Sequence, residues 1–188
     1  MSGITRHRTG RADTVTGVNQ DRTELDELRE RVARMETVEA IKALKHRYWR
    51  ACDAKDPRGF RDCFIAAGAS IDFGALGRFD DADGIAKVFE TIALQRVDGK
   101  PVILDMHHGV LPDITVTSAT TAVGAWTLRF RQVNLVNGTE TVSTGEYDDE
   151  YVIEDGSWKM AKCHFRPYWS ITRPIAPDTV VTVVNDGS

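Results

Sequence analysis

Apolar side chains recur at helical spacing along VEAIKALKHRYWRACDAKDP, residues 38 to 57, at Val38, Ile41, Leu44, Tyr48 and Cys52. One stripe of this kind predicts a helix with a single buried face. A shorter stripe, Leu25, Leu28, Val32 and Met35, precedes it, with start signals at Thr23 and Thr37. The two stripes predict a leader helix followed by a main helix that ends near Asp53. Residues 57 to 67 read as a short helix burying Phe60, Cys63 and Phe64, and Ala69 to Phe73 alternate as a strand before Gly74 and Gly77. A third helix is predicted over Asp83 to Leu94, presenting Ile85, Val88, Phe89 and Ile92. From Val102 the period falls to two. Strands are predicted at 102–117, 121–135, 140–154 and 157–169, with turns at Ser118-Ala119-Thr120, Asn137-Gly138 and Asp155-Gly156. Helices first and a meander of long strands later imply an α+β fold, with helices packed on one face of a curved, mainly antiparallel sheet.

Composition narrows the picture only in places. With 188 residues and 41% hydrophobic content, the chain suits one domain with a full core. Residues 1 to 22 hold Arg6, Arg8, Arg11 and Arg22 among Gly, Thr and Asp, with little to bury. They read as a disordered arm, ahead of a single domain over 23–173 and a tail over 174–188. A net charge of -4 supplies no electrostatic footprint for nucleic acid. Cys52, Cys63 and Cys163 are odd in number and widely spaced, which indicates neither a zinc site nor a disulfide framework. No apolar run spans a bilayer and no signal-peptide core is present. The expectation is a cytoplasmic protein with no membrane partner, no metal and no cofactor.

Two places in the sequence offer chemistry. Asp53 falls in the last helical turn, where the negative end of the helix dipole disfavours a carboxylate. Asp56 has an ordinary role as the cap before Pro57; Asp53 has none, which marks it as a candidate functional position. The other place is His107-His108, in the first long strand. Alternation puts Ile103, Asp105, His107 and Gly109 on one face, and Val102, Leu104, Met106, His108 and Val110 on the other. The two histidines therefore point to opposite sides and cannot share a metal. A carboxylate bonded to one ring nitrogen of a histidine fixes its tautomer and stabilises the imidazolium formed when the other takes a proton. A nearby tyrosine hydroxyl, here Tyr48, can donate to a carbonyl or leaving oxygen. No nucleophile elbow, P-loop or dinucleotide fingerprint occurs.

These residues bring a resemblance. Tyr48-x-x-x-x-Asp53-x-x-Asp56 closing a helix, MHHGV opening a strand and the late hairpin EYDDEYVIEDGSWKM resemble the SnoaL-like group of the nuclear transport factor two-like superfamily, over about residues 24 to 168. The likeness extends to scytalone dehydratase, bile acid dehydratase and hexachlorocyclohexane dehydrochlorinase. It implies a cone of curved sheet closed by helices around an apolar pocket, and a His–Asp dyad that removes a proton next to a leaving group. Asp53 falls on the dyad aspartate and Tyr48 on a catalytic tyrosine position. For the histidine two arguments conflict. The more apolar face carries His108, whereas the family's spacing to Ile114 and Val116, with a bulge at Pro112, points to His107; we take His107. Phe73, Trp126, Leu128, Phe130, His108 and His164 are candidates for the pocket lining. The family's asparagine four residues after its histidine is replaced by Leu111, and the dehydrochlorinase arginine falls on Cys163. His164, Arg166, Arg129 and Arg131 are possible substitutes.

The expected activity is that of a lyase or isomerase needing no cofactor. A dehydratase on a hydrophobic polycyclic, steroid-like or polyketide-like substrate comes first, and an isomerase or cyclase second. A non-enzymatic small-molecule-binding or assembly module on the same fold is the alternative. An epoxide hydrolase would draw on Glu146, Asp148 and Arg129. The leader helix and an exposed sheet face make a homo-oligomer, dimer or trimer, the expected state.

Overall fold

The computed structural model describes residues 12 to 184, with side chains from Gln20 onward. The elements are α1 (Ala12–Ala54), α2 (Pro57–Arg61), β1 (Ser70–Asp72), a 3-10 turn (Gly74–Leu76), β2 (Arg78–Phe79), α3 (Ala82–Ala93), β3 (Arg96–Val97), β4 (Lys100–Pro101), β5 (Ile103–Val116), β6 (Thr121–Asn134), β7 (Thr139–Glu154) and β8 (Ser157–Pro174). They divide into two units at Thr37/Val38. The first contains only helix among the described residues; the second holds the sheet, α2, α3 and the remainder of α1.

Helix α1 starts inside the stretch expected to be an arm, so residues 12 to 22 are helical. The expectation for residues 1 to 11 lies outside the described residues. Thr37 does not open a second helix either. No glycine or proline lies between Thr23 and Pro57 until the helix has ended, so nothing in the backbone forces a break. The end is decided by Lys55, whose φ of 59° is left-handed. There the Lys55 and Asp56 amides donate back to the Cys52 and Ala51 carbonyls. Asp56 then caps α2, accepting from the Gly59 amide at 2.9 Å, with Pro57 in the first turn.

The second unit is an α+β cone built on one six-stranded sheet in the order β2-β1-β8-β7-β6-β5, antiparallel except where β1 runs parallel to β8. A separate ribbon, β3 with β4, was not foreseen; Asp98 and Gly99 turn it with φ of 51° and 75°. Asp155 and Gly156, both at positive φ, close the β7–β8 hairpin as the Asp-Gly pair requires. Strand β8 runs past its expected end at 169 because a register shift between Thr144 and Gly145 absorbs the break at Pro167. In β5 the register shifts between Val110 and Asp113, around Pro112. This bulge keeps His107 and Gly109 on the same face as Ile114, which pairs with buried Gly124.

The core lies between α1 and the inner face of the sheet. Ile41, Leu44, Tyr48, Trp49 and Cys52 pack with Trp126, Leu128, Tyr147, Tyr151, Met160 and Cys163, and Phe60 and Phe64 join from the α2 side. At about 25 cal/mol per Å², an aromatic side chain buried from water adds roughly 2–3 kcal/mol, so this cluster dominates the stability. No described helix is long and apolar enough to cross a membrane.

Candidate active site

Asp53, in the last turn of α1, reaches the inner face of β5. One of its oxygens lies 2.6 Å from His107 Nδ1. The His107 main-chain amide also donates to both carboxylate oxygens, at 3.1 and 3.2 Å. The carboxylate is therefore fixed twice by one residue, once through its backbone and once through its ring, which offsets the unfavourable helix dipole. A carboxylate acceptor suits the imidazole tautomer with its proton on Nδ1, and in that tautomer Nε2 is the nitrogen with the lone pair. Among the described residues nothing hydrogen-bonds Nε2. The two side chains are 13% and 22% exposed.

The neighbourhood of the pair is organised by β5 and β6. Phe130 stands opposite His107 in the ladder, its ring centroid 4.7 Å from the imidazole. Two residues back on the same face, Asp105 is paired with Lys55 and accepts from Gln132 Nε2 at 3.1 Å. Two residues forward, Gly109 gives room to Trp49: a Cβ built there would lie 1.8 Å from the indole. Lys55, Asp105, Gln132 and Trp49 went unforeseen. The signal for Asp105 was present, since it shares His107's face in the alternation.

A second pair lies deeper on the same surface. Lys45 Nζ is 2.7 Å from an Asp149 oxygen, and both side chains are 0% exposed. Tyr151 donates to Asp149 at 2.7 Å and Trp126 donates to Tyr151 at 2.9 Å. The Lys45 ammonium also lies over the Tyr147 ring at 3.8 Å and the Tyr48 ring at 4.8 Å. Burial alone would lower the Lys45 amine, but the Asp149 carboxylate more than offsets it and holds it above its ordinary value. Burial likewise pushes the Tyr48, Tyr147 and Tyr151 hydroxyls and the Cys163 thiol well up. This pair was missed although the sequence signalled it. Lys45 interrupts the apolar stripe between Ile41 and Tyr48, and Asp149 shares the inward parity of Tyr147 and Tyr151.

The other expected residues separate by face. His108 points outward, opposite Arg129, because adjacent strand residues alternate; it does not line a site with His107. Tyr48 is buried against Phe60, Phe64 and Tyr147 and makes no hydrogen bond or ring contact with Asp53 or His107. Five helical residues set it about 140° around the axis from Asp53, which separates the two. Trp126 and Leu128 are core residues of the inner face, and Phe73 packs at the margin of that core. His164 is held by Ser70, with Oγ 2.8 Å from Nε2. Arg166 pairs with Glu146, Arg131 with Glu140, and Asp148 with Lys162, on the outer face with exposed Arg129. The epoxide hydrolase set therefore turns away from the dyad. Cys163, where the resemblance implied an arginine, instead lies 3.5 Å from Lys45 Nζ. No group of three or more His, Cys, Asp or Glu residues suited to a metal occurs among the described residues. Two surface cavities of about 440 and 470 Å³ lie elsewhere, lined by neither Asp53 nor His107.

The model of the SnoaL-like domain matches residues 33 to 164, most of the chain. The chain belongs to the SnoaL-like domain family. Solved structures agree on the fold. A putative scytalone dehydratase from Novosphingobium aromaticivorans is 18% identical, with a TM-score of 0.66 over 80% of this chain and 98% of that one. Hexachlorocyclohexane dehydrochlorinase LinA-type3 from Novosphingobium barchaimii is 17% identical, with a TM-score of 0.66 over 81% and 99%. No curated protein matches this SnoaL-like chain.

Proposed function

We propose that this SnoaL-like protein is a lyase needing no cofactor, in which His107 takes a proton from carbon and Asp53 holds the ring. The observation that carries the reading is the 2.6 Å bond from His107 Nδ1 to Asp53, which leaves Nε2 unclaimed beside Phe130. In the step, the C–H bond breaks, its electron pair forms a double bond, and the leaving group departs from the neighbouring carbon with its own bonding pair. The proton moves to Nε2, and Asp53 stabilises the resulting imidazolium. In a dehydration the same proton completes the leaving water. The dehydratase and dehydrochlorinase names among the similar structures support this class. We take the substrate to be a hydrophobic polycyclic, steroid-like or polyketide-like alcohol beside a carbonyl, resting on Phe130. An isomerase or cyclase would use the same proton transfer. Tyr48, bound among aromatic rings, has no part in the step.

A second reading, a non-enzymatic binding or assembly module, is favoured by one observation. The inner face beyond the dyad is filled by Trp49, Trp126 and Tyr147. Proton exchange separates the two. β-Hydroxy ketones of decalin, steroid and polyketide type are incubated in deuterated buffer and followed by NMR for α-proton loss and alkene formation. The lyase reading expects turnover that falls roughly 10²–10⁴-fold in His107→Ala with an unchanged melting temperature. Binding of these compounds with neither exchange nor elimination establishes the module instead.

A further inference from the structure

The first unit offers a surface that the dyad does not use. Leu25, Leu28, Val32 and Met35 follow a three-four-three spacing on α1 and are between 46% and 68% exposed. That spacing puts Leu25 and Val32 at heptad position a, and Leu28 and Met35 at position d. Glu24 and Arg31 then fall at g, and Arg29 and Glu36 at e. We infer that this segment pairs with the same segment of a second copy as a short, parallel, in-register coiled coil.

Charge commits the partner and its direction. In a parallel pair each g residue meets the e residue five positions further along the other helix. Here Glu24 meets Arg29 of the second copy, and Arg31 meets Glu36 of the second copy; all such contacts are attractive. An antiparallel pair that kept the same apolar seam would set Arg29 against Arg29 and Arg31 against Arg31 about its axis. Among the described residues of one chain these charges have only weak local partners. Arg29 reaches Asp26 at 2.9 Å and Gln20 reaches Glu24 at 3.4 Å, all on the exposed surface. A helix whose apolar seam is exposed gains little from its own sequence, whereas burial against a copy supplies the missing term. Two heptads are few, so the pairing depends on protein concentration.

The test uses the full chain. Leu28→Cys places a thiol at d, and the native Cys52, Cys63 and Cys163 are buried. Mild oxidation is expected to join Leu28→Cys chains into a disulfide dimer, because d faces d in a parallel pair. Sedimentation then compares E24K/E36K and R29E/R31E chains alone and mixed. Each alone is expected to raise the monomer–dimer midpoint about tenfold or more, and the mixture is expected to restore it as a heterodimer. Failure of Leu28→Cys to cross-link, or cross-linking only when Leu28→Cys is mixed with Val32→Cys, overturns the parallel pair. Charge variants that leave the midpoint unmoved, alone and mixed, overturn the role of Glu24, Arg29, Arg31 and Glu36.

Discussion

Helix α1 delivers two acid–base pairs to one sheet, and they differ in almost everything but chemistry. Asp53 and His107 meet at the helix end, partly open, with one ring nitrogen unclaimed. Lys45 and Asp149 meet two turns earlier with no exposure at all, surrounded by tyrosine hydroxyls and aromatic faces. Proton transfer to a substrate needs access, and of these two pairs the first is the one whose side chains are partly exposed. The second is sealed from solvent, and each of its groups faces the other. Removing two charges from water costs several kcal/mol, and their attraction with good hydrogen bonds returns about as much.

The comparison is broken most severely at the buried pair. Lys45→Met or Asp149→Leu alone strands one charge and is expected to destabilise the second unit by about 3–5 kcal/mol, measured by urea unfolding. The double variant is expected to regain most of that loss; a double variant as unstable as the singles shows that the pair is net stabilising. At the open pair the effects exchange places. On the proposed lyase reading, His107→Ala is expected to lower turnover roughly 10²–10⁴-fold, about 3–5 kcal/mol of transition-state stabilisation, while shifting urea stability far less. Asp53→Asn is expected to cost less than His107→Ala, since the ring keeps its proton acceptor; an equal cost assigns the carboxylate's charge the larger role.

The smallest effect is in pH. Lys45, Tyr48, Tyr147, Tyr151 and Cys163 all have folded values above their ordinary ones. Groups raised in this way contribute stability that is complete below the unfolded value and fades as the pH climbs toward the folded one. Stability is expected to stay level through neutrality and to fall from about pH 8.5 upward, where free thiols and then phenols and amines begin to titrate. The fall should be shallower in the Lys45→Met/Asp149→Leu double variant, read from unfolding midpoints between pH 7 and 11.

Much of the fold was legible because period and turn chemistry agree over long stretches. The four long strands, their Asn-Gly and Asp-Gly turns and the stripe on α1 all rest on local rules. Asp53 was legible as a residue with no local excuse. The parity of His107 was harder, because the outward face of β5 carries Met106 and Val110, which are exposed yet apolar and mislead a burial argument. The bulge at Pro112 resolves it through register, a property of two strands rather than one. Tyr48 illustrates the opposite failure: its resemblance to a catalytic position said nothing of the rings that enclose it. Lys45 is legible as an interruption of the apolar stripe, but its pairing is not, because Asp149 lies over a hundred residues away in sequence.

The indole of Trp49, lying on the backbone of Gly109, gives the molecule an optical consequence. Gly109 lies two residues along β5 from His107, about 7 Å of strand, and a Cβ there would collide with the indole. A molecule that settles at the imidazole, as the proposed function requires, is expected to change the polarity or the quenching around that chromophore. Its emission makes occupancy of the site visible without any label, and Trp49→Phe marks which of the four tryptophans is speaking.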